Sequence, residues 1–308
     1  MELKIDRLSK QYGPKIAVDR VSATLSPGVY GLLGANGSGK TTLMRMVCEV
    51  LRPTSGEILL DNKSIASMGA AYRDLLGYLP QDFGYYPDFT ALDFMRYIAA
   101  LKGIDKKQAK QLSLQTLAEV GLEEYAKAKI KTFSGGMKQR LGIAQAVIND
   151  PKILILDEPT AGLDPQERVK FRNLISNLSK DRIVVLSTHI VSDIEFIAGK
   201  VLVMKQGAFV LEGSPVELRE KMDGKVWEVS VGIHELDALQ QRLCIANINH
   251  IDAETAALRI VAEELPHAGA LAARPTLEDL YLYLFNESSG GALGESARSS
   301  AMKGGRHA

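Results

Sequence analysis

Alternating apolar and polar residues mark the start of the chain. The alternation covers two segments, with apolar residues at Leu3 and Ile5 and then at Val21, Ala23 and Leu25. Such spacing predicts strands with one buried face, in an antiparallel arrangement. From residue 29 the pattern changes to unbroken apolar runs at 29–33, 153–156 and 183–186. Runs of this length predict strands that are buried on both faces, as in a parallel sheet.

Helical spacing follows the first two of these runs. After the first run and a glycine-rich turn, the apolar residues are Leu43, Met46, Val47 and Val50. After the second run they are Phe171, Leu174, Ile175 and Leu178. A strand followed by a helix is the repeating unit of a parallel α/β sheet. Residues from about 90 to 150 lie between these units and have mainly helical patterns, which predicts a helical insert.

The last part of the chain predicts a separate small domain. Short strands around one helix, and a final amphipathic helix opened by Pro275 and Thr276, indicate an α+β accessory domain over residues 215–286. Residues 287–308 are mostly serine, glycine and alanine. They contain too few large apolar side chains to offset the entropy of ordering, so we expect a disordered tail.

Composition and charge argue against several classes of protein. The 308 residues are 46% hydrophobic and 24% charged, which is typical of a globular protein. Lysine plus arginine and aspartate plus glutamate both number 37, so no general affinity for nucleic acid or anionic lipid is indicated. The two cysteines, Cys48 and Cys244, form no zinc or disulfide motif. No apolar stretch approaches the roughly 20 residues of a membrane-spanning helix, and we expect a cytoplasmic chain without a signal peptide.

A phosphate-binding motif lies between the first buried run and the helix that follows it. Residues 34–42 match GxxxxGK[ST] and are Gly34, Ala35, Asn36, Gly37, Ser38, Gly39, Lys40, Thr41 and Thr42. The glycines would turn backbone N–H groups toward phosphate, Lys40 would reach the β- and γ-phosphates, and Thr41 would ligate Mg²⁺. The alternative is a glycine-rich turn with a surface lysine. The flanking strand and helix favour phosphate binding.

Two carboxylates follow the second buried run. Asp157 would stand at the carboxyl edge of the predicted sheet, where open α/β sheets bind ligands. A carboxylate there can hold Mg²⁺ together with the phosphate-binding loop. Glu158 comes next and could polarise water as a general base. From the residues alone, an ordinary solvated glutamate before Pro159 is an equal alternative.

A third segment, Phe133-Ser134-Gly135-Gly136-Met137, opens another predicted helix. Ser134 could cap the helix, and the two glycines would expose N–H groups to an anion. Together with the phosphate-binding loop and the two carboxylates, this segment resembles the signature of the ATP-binding cassette (ABC) family, usually written LSGGQ. Phe133 and Met137 depart from that consensus at its outer positions.

Four further residues match landmarks of the ABC family in the family's order. Tyr12 matches the aromatic residue placed against adenine, and Gln81 matches the glutamine between Mg²⁺ and the transmembrane partner. Asp164 matches the loop that communicates between two cassettes, and His189 matches the histidine that contacts the γ-phosphate. Each residue alone would be read as a surface or structural side chain, so the resemblance depends on their common order.

The resemblance implies a fold and an activity. The fold is α/β: a P-loop NTPase core with a mainly parallel sheet, an N-terminal antiparallel β subdomain, a helical subdomain and the C-terminal accessory domain. The ATPase domain would cover residues 1–214. The activity is Mg²⁺-dependent hydrolysis of ATP. The implied catalytic residues are Glu158, His189 and Lys40, and the implied metal ligands are Thr41, Gln81 and Asp157.

The resemblance also implies partners. One chain would carry half of each site, so two cassettes, taken as identical, would pair head to tail around two ATP molecules. A separate transmembrane permease would be the other partner, with no nucleic acid. Residues 274–281 look like the C-terminal motif of cassettes that serve bacterial exporters, although a plain packing helix is the alternative. We therefore expect an export ATPase on the inner face of the cell membrane.

Two alternatives stay open at this point. The aromatic segment at 82–87 either receives a cytoplasmic helix of the permease or fills local core. The function could also be that of a soluble ABC ATPase acting on ribosomes or DNA. Ribosome-acting relatives usually carry two cassettes, whereas this chain has one phosphate-binding loop. DNA-repair relatives insert a long coiled coil between that loop and the signature, where this chain has fewer than a hundred residues.

Overall fold

The computed structural model describes residues 1–188 and 190–285. The chain divides into two compact units. The first is Met1–Phe209, and the second begins at Val210. His189 and the predicted tail at 287–308 lie outside the described residues.

The described residues form strands and helices in the following order along the chain. The strands are β1 Leu3–Tyr12, β2 Lys15–Leu25, β3 Gly28–Leu33, β4 Ser55–Leu60, β5 Lys63–Ser64, β6 Leu76–Leu79, β7 Ile153–Asp157, β8 Ile183–Ser187, β9 Lys200–Lys205, β10 Ala208–Gly213, β11 Val226–Gly232, β12 Cys244–His250, β13 Thr255–Val261 and β14 Leu271–Ala272. The helices are α1 Lys40–Val47, α2 Ile65–Met68, α3 Ala70–Asp74, α4 Ala91–Leu101, α5 Lys106–Glu119, α6 Gly135–Val147, α7 Pro165–Leu178, α8 Val191–Ile197, α9 Pro215–Glu220, α10 Leu236–Arg242 and α11 Leu277–Phe285.

The first sheet of the larger unit is antiparallel and has the order β2-β1-β4-β5. Leu3 pairs with Leu25, and Ile5 pairs with Ala23. All four side chains are buried. The alternating positions at the start of the chain therefore form one buried face, which confirms the antiparallel opening.

The second sheet has the order β10-β9-β3-β8-β7-β6, and the five strands from β9 to β6 are parallel. Every residue of β7 and β8 is buried, because the sheet is covered on both faces. The unbroken apolar runs are thus the central strands, as predicted. The loop after β3 and the last residue of β7, Asp157, lie at the same carboxyl edge of the sheet.

Helix α1 ends earlier than its apolar spacing indicates. Val50 was predicted to share its buried face, but the helix stops at Val47 and the side chain of Val50 is 65% exposed. Glu49 has a φ of 55°. The N–H of Val50 donates to the carbonyl of Arg45, and the N–H of Glu49 donates to the carbonyl of Met46. This is a Schellman ending, with a glutamate in the left-handed position that glycine usually takes.

Three helices, α4, α5 and α6, occupy the predicted helical insert. The first is capped by Thr90, whose hydroxyl accepts from the N–H of Asp93, and it buries Phe94, Met95 and Ala99. Within the part of the chain that the structure describes, no helix is long and apolar enough to cross a bilayer.

The second unit has its own antiparallel sheet, in the order β12-β13-β11-β14. Its last helix, α11, is fixed by an ion pair. Arg259 Nη2 lies 2.7 Å from Oδ2 of Asp279, whose side chain is 2% exposed. Burial alone would raise the pKa of Asp279, but hydrogen bonds from Arg259 and Thr276 lower it overall. Thr276 and Asp279 therefore stabilise the start of this helix within the unit.

Candidate functional site

The loop that leaves β3 turns into α1 at a position where only glycine fits. Gly39 directly precedes the helix and has a φ of 110°, a conformation that residues with a Cβ rarely adopt. A Cβ on Gly39 would also lie 2.3 Å from the carbonyl oxygen of Ala17. Ser38 Oγ is buried and has no hydrogen-bond partner among the described residues. Unpaired N–H groups at the start of α1 and this hydroxyl together suit a phosphate group.

Lys40 lies inside the same loop and is 7% exposed. Its Nζ donates to the carbonyl oxygens of Gly34 at 2.7 Å and Ala35 at 3.2 Å. Burial lowers the pKa of Lys40, and the nearby charges of Glu158 and Asp157 oppose that shift. The amine is therefore largely shielded from water and donates to two neutral carbonyl oxygens. A phosphate oxygen could take the place of these acceptors and form a charge-assisted hydrogen bond with Nζ.

Asp157 provides the oxygen atoms that a divalent cation needs. Thr41 Oγ1 lies 3.4 Å from Oδ1 of Asp157. Oδ2 of Asp157 is buried and has no hydrogen-bond partner within residues 1–188 and 190–285. A buried carboxylate oxygen without a partner is costly unless a ligand satisfies it. Hard oxygen donors of this kind are those that Mg²⁺ prefers, so these residues fit the ion.

Glu158 directly follows Asp157 and has a left-handed backbone, with a φ of 52°. Its N–H donates to the carbonyl oxygen and to Oγ of Ser187, each at 3.1 Å. The residue is only 8% exposed, and it lines the cavity described next. A solvated surface glutamate, which was the equal alternative, does not describe this position.

A cavity of about 490 Å³ brings nine of the eighteen predicted site residues together. It is lined by Tyr12, Lys15, Ala17, Asn36, Gly37, Gly39, Lys40, Thr41, Thr42, Gln81, Glu158 and Ala161. Tyr12 is 48% exposed, so its ring is open to solvent. Residues from four separate parts of the sequence, 12–17, 36–42, 81 and 158–161, thus face one space.

Eight other predicted residues do not line this cavity: Gly34, Ala35, Ser38, Asp157, Ser134, Gly135, Gly136 and Asp164. Ser134 caps α6 by accepting from the N–H of Met137 at 3.2 Å, and Asp164 caps α7 by accepting from the N–H of Glu167 at 2.9 Å. Gly136 lies against Glu167, because a Cβ there would be 2.8 Å from its Oε2. The signature segment and Asp164 are therefore the starts of two neighbouring helices. At the start of α6, helix geometry leaves the N–H groups of Gly135 and Gly136 without an intrahelical partner.

Comparison with known proteins supplies the family. The model of a family described as ABC transporter matches residues 18–161. An uncharacterized ABC transporter ATP-binding protein of Bacillus subtilis, YxlF, is 39% identical over 231 residues, which are 74% of this chain and 76% of that protein. The linearmycin resistance ATP-binding protein LnrL of the same organism is 32% identical and covers 84% of each chain. This chain belongs to the ABC transporter family.

Solved structures agree with the fold of this cassette. A dimeric bacterial ABC transporter cassette is 26% identical, with a TM-score of 0.63, and covers 69% of this chain and 98% of that one. A cassette in a post-hydrolysis state, bound to ADP and Pi, has a TM-score of 0.62 at 26% identity, with the same coverage of both chains. The predicted α/β P-loop NTPase fold is confirmed. The protein is an ATP-binding and ATP-hydrolysing subunit of an ABC transporter.

Other residues at this site were indicated by no motif. Lys15 lies opposite Tyr12 in the β1–β2 pairing, and it lines the cavity together with Ala17 and Ala161. The only sequence signal for Lys15 was the turn at Gly13 and Pro14, which reverses the chain directly after Tyr12. Ser187, next to Asp157 in the sheet, carried no signal in the sequence.

Proposed function

We propose that two copies of this cassette pair head to tail around two ATP molecules and drive the export of a substrate through a separate transmembrane permease. One observation carries this proposal: the cavity is lined by six residues of the phosphate-binding loop, by Gln81 and by Glu158, but not by residues 134–136 or Asp164. A second copy would supply the missing groups. The names of relatives support export, since one of them is a Nod factor export ATP-binding protein of Paraburkholderia xenovorans, 36% identical over 70% of this chain and 72% of that protein.

Nucleotide binding divides among groups that line the cavity and Asp157, whose Oδ1 lies 3.4 Å from Oγ1 of Thr41. The exposed ring of Tyr12 stacks on adenine, and the N–H groups of residues 34–42 hold the phosphates. Thr41, Gln81 and Asp157 would hold Mg²⁺. When bound, the ion neutralises charge on the β- and γ-phosphates.

Hydrolysis depends on three side chains and the partner. Lys40 binds the β- and γ-phosphates, Glu158 accepts a proton from the attacking water, and His189 steadies the γ-phosphate. The start of α6 in the second copy, capped by its Ser134, faces the γ-phosphate with partial positive charge. ATP therefore holds the two copies together, and its hydrolysis releases them.

Mixing two defective chains tests whether the site is shared. Lys40→Ala disables the phosphate-binding loop, and Ser134→Arg blocks the start of α6, so each variant alone should be inactive. In a mixed dimer one site carries both defects and the other carries none. Random pairing makes about half of the dimers mixed, so roughly a quarter of the unmodified ATPase rate should return. The measurement is steady-state phosphate release. A mixture as inactive as its components would contradict the shared site.

We also assign a role to each part of the chain and a location to the protein. Residues 1–214 are the nucleotide-binding domain, and residues 215–286 are an accessory domain. The permease holds the cassette at the cytoplasmic face of the membrane. Purification of the tagged full chain with ATP and Mg²⁺ from detergent-solubilised cells tests this assignment. Co-purification of a protein with several membrane-spanning helices is the expected result, whereas ribosomal or DNA-associated proteins would contradict it.

An exposed aromatic cluster after Gln81 is the surface we assign to the permease. Tyr86, Phe89 and Tyr97 are 48%, 37% and 38% exposed. The ring centroids of Tyr86 and Tyr97 lie 5.5 Å apart, edge to face. Phe83 instead packs inward, since its ring atoms lie within about 3 Å of a Cβ built on Gly142. The aromatic segment at 82–87 thus has an inward residue, Phe83, and an exposed one, Tyr86, which forms a cluster with Phe89 and with Tyr97 of α4.

Replacing both Tyr86 and Tyr97 with alanine should uncouple transport from hydrolysis. We expect the isolated subunit to keep its ATPase rate within about twofold, because surface substitutions outside a site cost little. Transport by the reconstituted transporter should fall at least tenfold, since aromatic anchors contribute much of the binding energy of an interface. Phe196→Ala, on α8, is the control because that ring is 73% exposed. Loss of basal hydrolysis together with a lower melting temperature would support local packing instead.

A further inference from the structure

A buried hydroxyl stands beside the proposed metal carboxylate. Ser187 is the last residue of β8, and in the parallel pairing of β7 and β8 it lies directly opposite Asp157. Neighbouring residues in register point to the same face of a sheet, with their strands about 4.8 Å apart. Ser187 is 0% exposed, and the rest of β8 is aliphatic. Its hydroxyl can therefore interact only with protein groups at this edge.

The Ser187 hydroxyl makes two hydrogen bonds with described residues, and their directions are fixed. Its Oγ donates its single proton to Oδ1 of Asp157 at 2.6 Å. The same Oγ accepts from the backbone N–H of Glu158 at 3.1 Å. A hydroxyl has one donor and two acceptor positions. The bond to the carboxylate uses the only donor position, and the bond from the N–H uses one acceptor position. The short distance to Oδ1 is typical of a charge-assisted bond.

Each bond restrains a group with a proposed role. Glu158 has a φ of 52°, a conformation that a residue with a Cβ keeps only when its surroundings fix it. The carbonyl oxygen and the hydroxyl oxygen of Ser187 both accept from the N–H of Glu158. On Asp157, Ser187 holds Oδ1, while Oδ2 is buried and has no partner among the described residues. The carboxylate is thus oriented with one oxygen left for a ligand.

We propose that Ser187 is a positioning residue that fixes the metal carboxylate Asp157 and the general base Glu158 relative to one another. This inference rests on the proposed function of those two residues. Groups that hydrogen-bond to metal ligands typically change metal affinity or activity by roughly 10- to 100-fold when they are removed. The competing explanation is that the two hydrogen bonds only satisfy a buried hydroxyl and do not affect metal binding.

Three substitutions in the full chain separate these explanations. Ser187→Ala removes the hydroxyl, Ser187→Cys keeps a similar shape with a weak donor, and Ser187→Thr keeps the hydroxyl. Mn²⁺ is the probe, and its affinity for the ATP-loaded chain is measured by electron paramagnetic resonance. ATP affinity without metal, the ATPase rate and the melting temperature are measured alongside. We expect the alanine and cysteine variants to bind Mn²⁺ about 10- to 100-fold more weakly, with unchanged metal-free ATP affinity, and the threonine variant to recover most of the loss.

Ser113→Ala is the matched control. Ser113 is equally buried, and its Oγ donates to the carbonyl of Ala109 at 2.6 Å within α5. The Ser113→Ala substitution should change only the melting temperature. If Ser187→Ala and Ser187→Cys bind Mn²⁺ normally and behave like this control, the positioning role is wrong. Asp157→Asn distinguishes the two proposals: normal Mn²⁺ affinity in that variant would overturn the metal assignment and the role of Ser187 with it. Weak affinity in Asp157→Asn with normal affinity in Ser187→Ala would overturn the role of Ser187 alone.

Discussion

Replacing Glu158 with glutamine should reduce the ATPase rate by about a hundred- to ten-thousandfold, the range that a positioned general base contributes. Glutamine matches glutamate in size, and the backbone N–H that bonds Ser187 is unchanged, so the cavity should keep its shape. The amide cannot accept a proton from water as a carboxylate does. ATP affinity should stay within about threefold, since Glu158 acts on the water and not on the nucleotide.

The same variant should accumulate as an ATP-bound dimer. ATP joins the two copies until hydrolysis removes the γ-phosphate, so slow hydrolysis prolongs the joined state. Steady-state phosphate release, ATP titration and size-exclusion chromatography with ATP and Mg²⁺ measure the three properties. The control is Glu119→Gln, in α5, where the side chain is exposed and accepts from Gln115 at 3.1 Å. A Glu158→Gln enzyme that hydrolyses ATP at nearly the normal rate would show that Glu158 is not the base.

The strands that carry the site were predictable because they are buried along their whole length. In β7 and β8 all positions are buried, and every residue before the terminal Asp157 and Ser187 is aliphatic. The strand β6 was not predicted. It has four residues and contains Gly77, which strand patterns disfavour. The structure gives the reason for that glycine: a Cβ there would lie 2.3 Å from the carbonyl oxygen of Ala146.

The site was predictable where it is contiguous in sequence and not where it depends on strand pairing. Residues 34–42 form a motif because one loop must wrap one phosphate chain, so spacing alone is informative. Lys15 was not predicted, although the two-residue turn at Gly13 and Pro14 places it opposite Tyr12 and was visible in the sequence. Ser187 touches Asp157 only because β8 is the neighbour of β7. Strand order and register follow from the whole fold, and a pattern read along the chain does not contain them.

Replacing Lys40 with alanine should weaken ATP binding by about a hundredfold, which corresponds to about 2.8 kcal/mol. Its amine is buried and already without most of its water, so a bond from Nζ to phosphate costs little further desolvation. Alanine removes the charged donor and leaves the phosphates with the backbone N–H groups and the Ser38 hydroxyl. Isothermal titration with ATP and Mg²⁺ measures the affinity. The melting temperature without nucleotide shows whether losing the bonds to Gly34 and Ala35 disturbs the loop.

Lys102→Ala is the matched control for this prediction. Lys102 is another partly buried lysine whose pKa is lowered by burial, and its Nζ donates to the carbonyl of Leu76 at 3.1 Å. It does not line the cavity. Both variants therefore lose a desolvated amine and its bond to a backbone carbonyl, but only Lys40→Ala should lose ATP affinity. Equal ATP affinity in the two variants, with equal falls in melting temperature, would mean that Lys40 stabilises the loop and does not bind phosphate.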